Sequence, residues 1–158
     1  ATTVSAQNQV DTAFQQSNTA FKVRLERDTA SQGERNTRLT FSGNDKIILS
    51  DSVFCSWLEI RFRDMNKDGF NDVLIFESSG ARANELYNLY LYQEEKKTFK
   101  KVKGFNQRPN LDTTSIKGVL AATILTGTIY YQFFQLSHSG ELVDLGITEE
   151  DKDLHRKE

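Results

Sequence analysis

The sequence predicts an all-β fold: a single compact domain of about nine or ten mostly antiparallel strands, sandwich-like or arranged like propeller blades. Three observations predict it. Apolar and polar residues alternate with period two through Phe21–Glu26 and Leu58–Arg63, the pattern of a strand with one buried face. Strand-favouring aromatics are abundant, 11 Phe and 5 Tyr in 158 residues, against one Pro. Clusters of Ser, Asn, Asp and Gly punctuate the apolar runs at short intervals, and no segment is long and periodic enough for a confident helix. A chain of this length suits one core.

The elements follow in chain order. Residues 1–20 are rich in Gln, Asn, Thr and Ser, and Val10, Phe14 and Phe21 recur at loose helical spacing, so a flexible or weakly helical lead-in is expected. The domain proper is expected over 21–147. Phe21–Glu26 is its first strand, residues 28–36 a polar loop, and Arg38–Phe41 and Lys46–Leu49 the next strands, joined through Ser42-Gly-Asn-Asp45. Leu58–Arg63 alternates, whereas Val73–Phe76 is wholly apolar and reads as a buried strand. Small residues make 78–84 a loop. Glu85–Gln93 carries apolar groups on both faces, and Glu94-Glu-Lys-Lys97 turns it into Thr98–Val102. Residues 103–114, with the one proline at Pro109, read as a crossing connection. Ile116–Leu125 is assigned as a strand, because Gly118 and the β-branched Ile116, Val119, Thr123 and Ile124 disfavour a helix. Thr128–Leu136 and Glu141–Leu145, joined at His138-Ser-Gly140, complete the sheet, and the charged tail 148–158 is expected to fray.

One stretch stands apart: Asp64-Met-Asn66-Lys-Asp68-Gly69-Phe70-Asn-Asp72. Oxygen-bearing side chains at 64, 66, 68 and 72 have the spacing of a calcium loop, with ligands at positions one, three and five, a backbone carbonyl at seven and a further oxygen at nine. The predicted ligands of Ca2+ are therefore Asp64, Asn66, Asp68, the backbone carbonyl of Phe70, and Asp72. Gly69 admits the sharp turn because it has no Cβ. The twelfth position, a bidentate Glu in an EF-hand, is Ile75 here, and strands flank the loop in place of helices. A plain Asp/Asn/Gly turn is the competing reading, but turn chemistry needs fewer such residues. A loop lacking the Glu binds weakly, which suits the millimolar calcium outside the cytoplasm.

Other function classes find little support. Net charge is −2, and the basic run Lys96–Lys103 sits beside Glu94 and Glu95, so it reads as a solvated sheet edge and not as a nucleic-acid surface. No apolar run approaches the roughly 20 residues of a membrane span. The lone Cys55 forms no internal disulfide and reads as a buried thiol. His138 and His155 lack zinc-spaced partners. Ser79 and His138 are conceivable as nucleophile and base, but no motif supports the pair, so no enzyme is expected. The start at Ala1 fits a mature chain after signal-peptide removal, or a trimmed one.

The strand–D-x-N-x-D-G-x-x-D–strand unit is followed by Ser79-Gly-Ala-Arg-Ala-Asn-Glu-Leu-Tyr87, then Leu89-Tyr-Leu-Tyr92 and a charged hairpin ending in Phe99. Together they resemble a group of bacterial envelope proteins that carry a single calcium loop. The group includes immunity proteins against lysozyme-like toxins delivered by secretion systems, similar in fold to periplasmic inhibitors of invertebrate-type lysozyme. The resemblance covers roughly residues 21–147 and is motif-rich over 58–102. It implies a periplasmic or outer-membrane-associated protein that binds a peptidoglycan hydrolase by inserting loops into its active site. Those inhibitors use a Ser-Gly-x-x-Tyr loop; here Ser79-Gly80 is present and the tyrosine, Tyr87, comes four residues later than that pattern requires. The partner-binding residues expected on this basis are Ser79, Gly80, Arg82, Tyr87 and His138. The alternative is a calcium-stabilised adhesion or scaffold module without an enzyme target.

Overall fold

The computed structural model describes residues 2–5, 8–31 and 33–152, and for residues 2–5 the backbone alone. Thirteen strands are found among them. After β1 (Thr2–Ser5), the strands β2 (Gln9–Gln16), β3 (Thr19–Arg27), β4 (Thr37–Gly43) and β5 (Lys46–Val53) form a four-stranded meander. Then come β6 (Leu58–Arg63), β7 (Asp72–Ser79), β8 (Glu85–Gln93) and β9 (Thr98–Lys101), which with β1 build a five-stranded sheet in the order β1-β6-β7-β8-β9. A second four-stranded meander, β10 (Leu111–Thr113), β11 (Val119–Leu125), β12 (Ile129–Leu136) and β13 (Leu142–Glu150), ends the described chain. Every pairing is antiparallel.

The five-stranded sheet is the middle layer. On one face, Val73 and Ile75 of β7 and Tyr90 and Tyr92 of β8 pack with Phe21, Val23, Leu25, Leu39 and Phe41 of the first meander. On the other, Leu74, Leu89 and Leu91 pack with Leu120 and Leu136 of the second. Burial on both faces explains why Val73–Phe76 and Leu89–Tyr92 are continuous apolar runs, all buried. The outer meanders have one wet face, and β3 accordingly alternates, with Phe21, Val23 and Leu25 inward and Lys22 and Glu26 exposed. Aromatic rings fill the first interface: Phe99 stacks on Phe41 at 4.7 Å and meets Phe21 edge-on at 5.4 Å.

The all-β class is as expected; several details differ. Gln9–Gln16, expected in a weakly helical lead-in, is β2, paired over its whole length with β3. The crossing connection contains a 3-10 turn at Phe105–Gln107 and the short β10. The last strand runs on to Glu150, into the segment expected to fray. Residues 153–158, including His155, lie outside the described residues.

Candidate metal loop and recognition loop

The loop between β6 and β7 curls around its own acidic side chains. Asp64 accepts the N–H of Asp68 at 3.1 Å and of Gly69 at 2.8 Å, one on each oxygen. Asn66 Oδ1 accepts the Asp68 N–H at 3.2 Å, and Asp68 Oδ1 accepts that of Phe70 at 2.9 Å. Gly69 takes φ +94, which a Cβ would disfavour. Asn66 Nδ2 donates to Asp68 Oδ2 at 2.9 Å. Among the described residues no group of three or more His, Cys, Asp or Glu is placed to hold a metal. An ion here would therefore draw also on the Asn66 amide oxygen and the Phe70 carbonyl, oxygen types that calcium accepts.

Asp72 plays a different part from the other loop carboxylates. It is wholly buried, with Oδ2 accepting the Met65 N–H at 2.8 Å and Oδ1 the Tyr92 N–H at 2.9 Å. It thus ties the loop to β8, two strands from β6. Burial pushes its carboxyl up to about 7, with the charges of Asp68 and Asp64 adding to the rise and the two N–H bonds opposing it.

The loop also joins the three layers. The Gln16 amide at the β2–β3 turn donates to the Asn71 carbonyl at 3.1 Å and accepts the Asn71 N–H at 2.9 Å. Lys67 Nζ donates to the Thr114 carbonyl beside the second meander. Arg63 reaches Asp112 at 3.1 Å, and His138 Nδ1 lies 3.8 Å from Asp68. A segment expected to join two strands is the junction of all three sheets.

β7 carries the chain from this junction to the opposite end of the sheet, roughly 23 Å away at strand rise. There the 80–84 loop is tightly held. Gly80 N–H donates to the Asn84 carbonyl at 2.8 Å. Asn84 Nδ2 donates to the carbonyls of Ala81 at 3.2 Å and Leu125 at 2.9 Å, while its Oδ1 accepts the Leu125 N–H at 3.0 Å. Asn110 reinforces the clamp, accepting the Glu85 N–H at 3.2 Å and donating to Thr123 at 3.0 Å. Between the clamps Arg82 and Ala83 both adopt left-handed backbone, φ 63 and 58, which costs residues with a Cβ about 1–2 kcal/mol each. Arg82 is exposed and passes so close to Gly127 that a Cβ there would lie 2.9 Å from its Nη1.

The structure groups four of the five expected partner-binding residues and separates the fifth. Ser79, Gly80 and Arg82 are exposed at the loop, and Tyr87 is half-buried on the adjoining face of β8. His138 sits at the far end, beside Asp68, so it is not part of the same surface, and Ser79 and His138 do not meet as nucleophile and base. Sequence reasoning missed Asn84, Asn110, Gln16 and Glu59. Loop asparagines are too common to single out. Glu59 occupies an outward-reading position of an alternating strand, yet it is only 4% exposed.

No family model matches this sequence, and no curated protein does. A solved structure, of a Xanthomonas protein described as type IV secretion system related, aligns with TM-score 0.57 at 16% identity, over 98% of this chain and 90% of that one. The two chains share a fold. Among the described residues no helix is long and apolar enough to cross a membrane.

Proposed function

We propose that the protein is a calcium-binding, exported immunity-type protein that binds a lysozyme-like cell-wall hydrolase and blocks it by inserting the Ser79–Asn84 loop into the catalytic cleft. One observation carries the reading: an exposed loop holds two successive residues in left-handed backbone, is closed by the Gly80 N–H on the Asn84 carbonyl, and is tied to β11 by Asn84 and Asn110. Strain of this kind concentrates at functional sites, where the surroundings over-determine it. A loop already fixed in shape loses little entropy on docking. Its exposed cation, Arg82, suits a cleft that works with paired carboxylates, since guanidinium–carboxylate bonds are charge-assisted. The Xanthomonas neighbour, described as related to a type IV secretion system, supports a role in the same setting.

Calcium enters as a structural element in this reading. Bound by Asp64, Asn66, Asp68 and the Phe70 carbonyl, with Asp72 anchoring the loop from the core, it would fix the root of β7 and so the position of the loop at its tip. Periplasmic or outer-membrane-associated placement follows from the weak binding expected of a loop without the twelfth-position Glu. The test is a muramidase assay on lysozyme-like hydrolases of several types, with the wild type and Arg82→Ala. Inhibition by the wild type, weakened in the variant by about 2 kcal/mol, is expected for a lost contact to a buried carboxylate. No inhibition of any hydrolase by the wild type refutes the proposal.

A further inference from the structure

Glu59 points to a second site. Its carboxylate is almost wholly buried on the face of β6 directed toward the second meander, where an ionised group must be paired to persist. Three neighbours pair it. Trp57 Nε1–H donates at 2.9 Å, Arg61 Nε donates to the other oxygen, and the Tyr87 hydroxyl reaches it at 3.4 Å while also meeting Glu85 at 3.2 Å. The buried acid thus fixes an indole, a guanidinium and a phenol in one arrangement at the surface. Phe76 adds to this by stacking under Trp57 at 4.0 Å and 14° and meeting Tyr87 edge-on at 5.3 Å. With one face of the indole on Phe76 and the residue 41% exposed, the other face is turned to solvent.

Beside this platform, between β6, β8 and β10, runs a groove of about 400 Å3. Leu74, Leu111 and Tyr87 line it with apolar surface, and Arg61, Arg63, Glu85 and Asp112 line it with charged groups. The volume lies in the range of small-molecule sites, which bind through apolar surface with a few fixed polar groups. Arg63 pairs with Asp112 at 3.1 Å and Arg61 with Glu59, which leaves Glu85 as the one charge here without a cation among the described residues. An anionic ligand meets that excess carboxylate and is disfavoured. Hydrogen-bonding capacity remains, because the Nη groups of Arg61, whose guanidinium lies over the Tyr87 ring at 5.0 Å, have no hydrogen-bond acceptor among the described residues, and Glu85 accepts from Tyr87 alone among them. Flat aromatic surface beside planar donors and acceptors fits a ring with apolar faces and hydroxyls around its rim.

We propose that this groove, together with the Trp57 platform that adjoins it through Phe76 and Tyr87, is a binding site for a neutral oligosaccharide, one sugar stacking on the indole and another hydrogen-bonding to Arg61 and Glu85. The site is separate from the Ser79–Asn84 loop tip and needs no hydrolase. Trp57 is the chain's one tryptophan, so its fluorescence reports on this site alone. The experiment titrates the protein with the N-acetylglucosamine trimer, the glucose trimer and, as an ionic control, a uronic-acid trimer. A saturable change in Trp57 emission with a neutral trimer and none with the acidic one is expected. Calorimetry should show the same binding weakened about tenfold or more by Trp57→Ala and by Glu85→Gln, with melting temperatures unchanged for the latter. Two outcomes overturn the proposal: no saturable response to either neutral trimer up to about 10 mM, above the range of weak specific binding, or a muramidase shifting Trp57 emission while neither sugar does, which assigns the surface to a protein partner.

Discussion

Replacing Asp72 by alanine isolates what the protein's own hydrogen bonds contribute at the three-sheet junction. The side chain is wholly buried and accepts two backbone N–H groups, from Met65 at 2.8 Å and Tyr92 at 2.9 Å. Alanine leaves both donors where water does not replace the acceptor, and each stranded donor costs about 1–3 kcal/mol, or about 4 kcal/mol together. In a chain of this size 1 kcal/mol shifts Tm by roughly 2–4 °C, so a fall of about 8–16 °C follows. pH adds a signature. Burial raises the folded carboxyl to about 7 from 3.8, so between those values the folded state holds a proton that the unfolded state releases. Stability of the metal-free wild type therefore falls as pH rises through this window, by about 4 kcal/mol in all, and the penalty is complete above it. The protonated carboxyl keeps acceptor capacity for the two N–H groups. The deficit of Asp72→Ala should then be largest below pH 4, still about 2 kcal/mol at pH 5, and close to zero by pH 8. Melting followed by circular dichroism in chelator, at pH 5 and pH 8, measures it. A variant within about 2 °C of the wild type at pH 5 would refute the reasoning, because it would mean that the two donors find other partners.

Three further outcomes are expected. At 100 times its Kd, calcium should stabilise the wild type by about 2.7 kcal/mol, and Asp64→Ala or Asp68→Ala should abolish the shift; an unchanged melt with calcium or chelator removes the ion from the account. Asn84→Ala removes four hydrogen bonds and should cost about 2 kcal/mol, with faster amide exchange confined to the 80–84 and 125–127 segments; uniform exchange across the chain would contradict the clamp. Gly127→Ala meets both a φ of +103 and the Arg82 guanidinium, so it should cost about 1–3 kcal/mol and weaken partner binding; full retention of both would show that Arg82 does not depend on Gly127.

Strand identity was largely legible where burial decided the sequence. β3 alternates because one face is wet, and Val73–Phe76 does not because neither is. β2 escaped for a physical reason. Its inward positions are Val10, Thr12, Phe14 and Gln16, and the two apolar ones are four residues apart, a spacing that satisfies a strand and a helix alike. Gln16 faces inward not to enter a core but to grip Asn71, a contact 55 residues away along the chain. The calcium-type loop was legible as a loop between strands, yet its spacing carried no sign that Gln16, Lys67 and Arg63 tie it to all three sheets. Glu59 was hidden most deeply. A carboxylate within an alternating strand reads as solvated until the tertiary fold brings Trp57 and Tyr87 to it.

The central claim is that the strained loop at the end of β7 plugs the cleft of a lysozyme-like hydrolase. It is tested most directly by the inhibition constant of Arg82→Ala against that of the wild type, on a hydrolase the wild type inhibits, with the variant's fold verified by its melt. The account predicts a loss of about thirtyfold at unchanged Tm, the equivalent of about 2 kcal/mol. Equal inhibition by the two proteins would place the contact on another surface and contradict it.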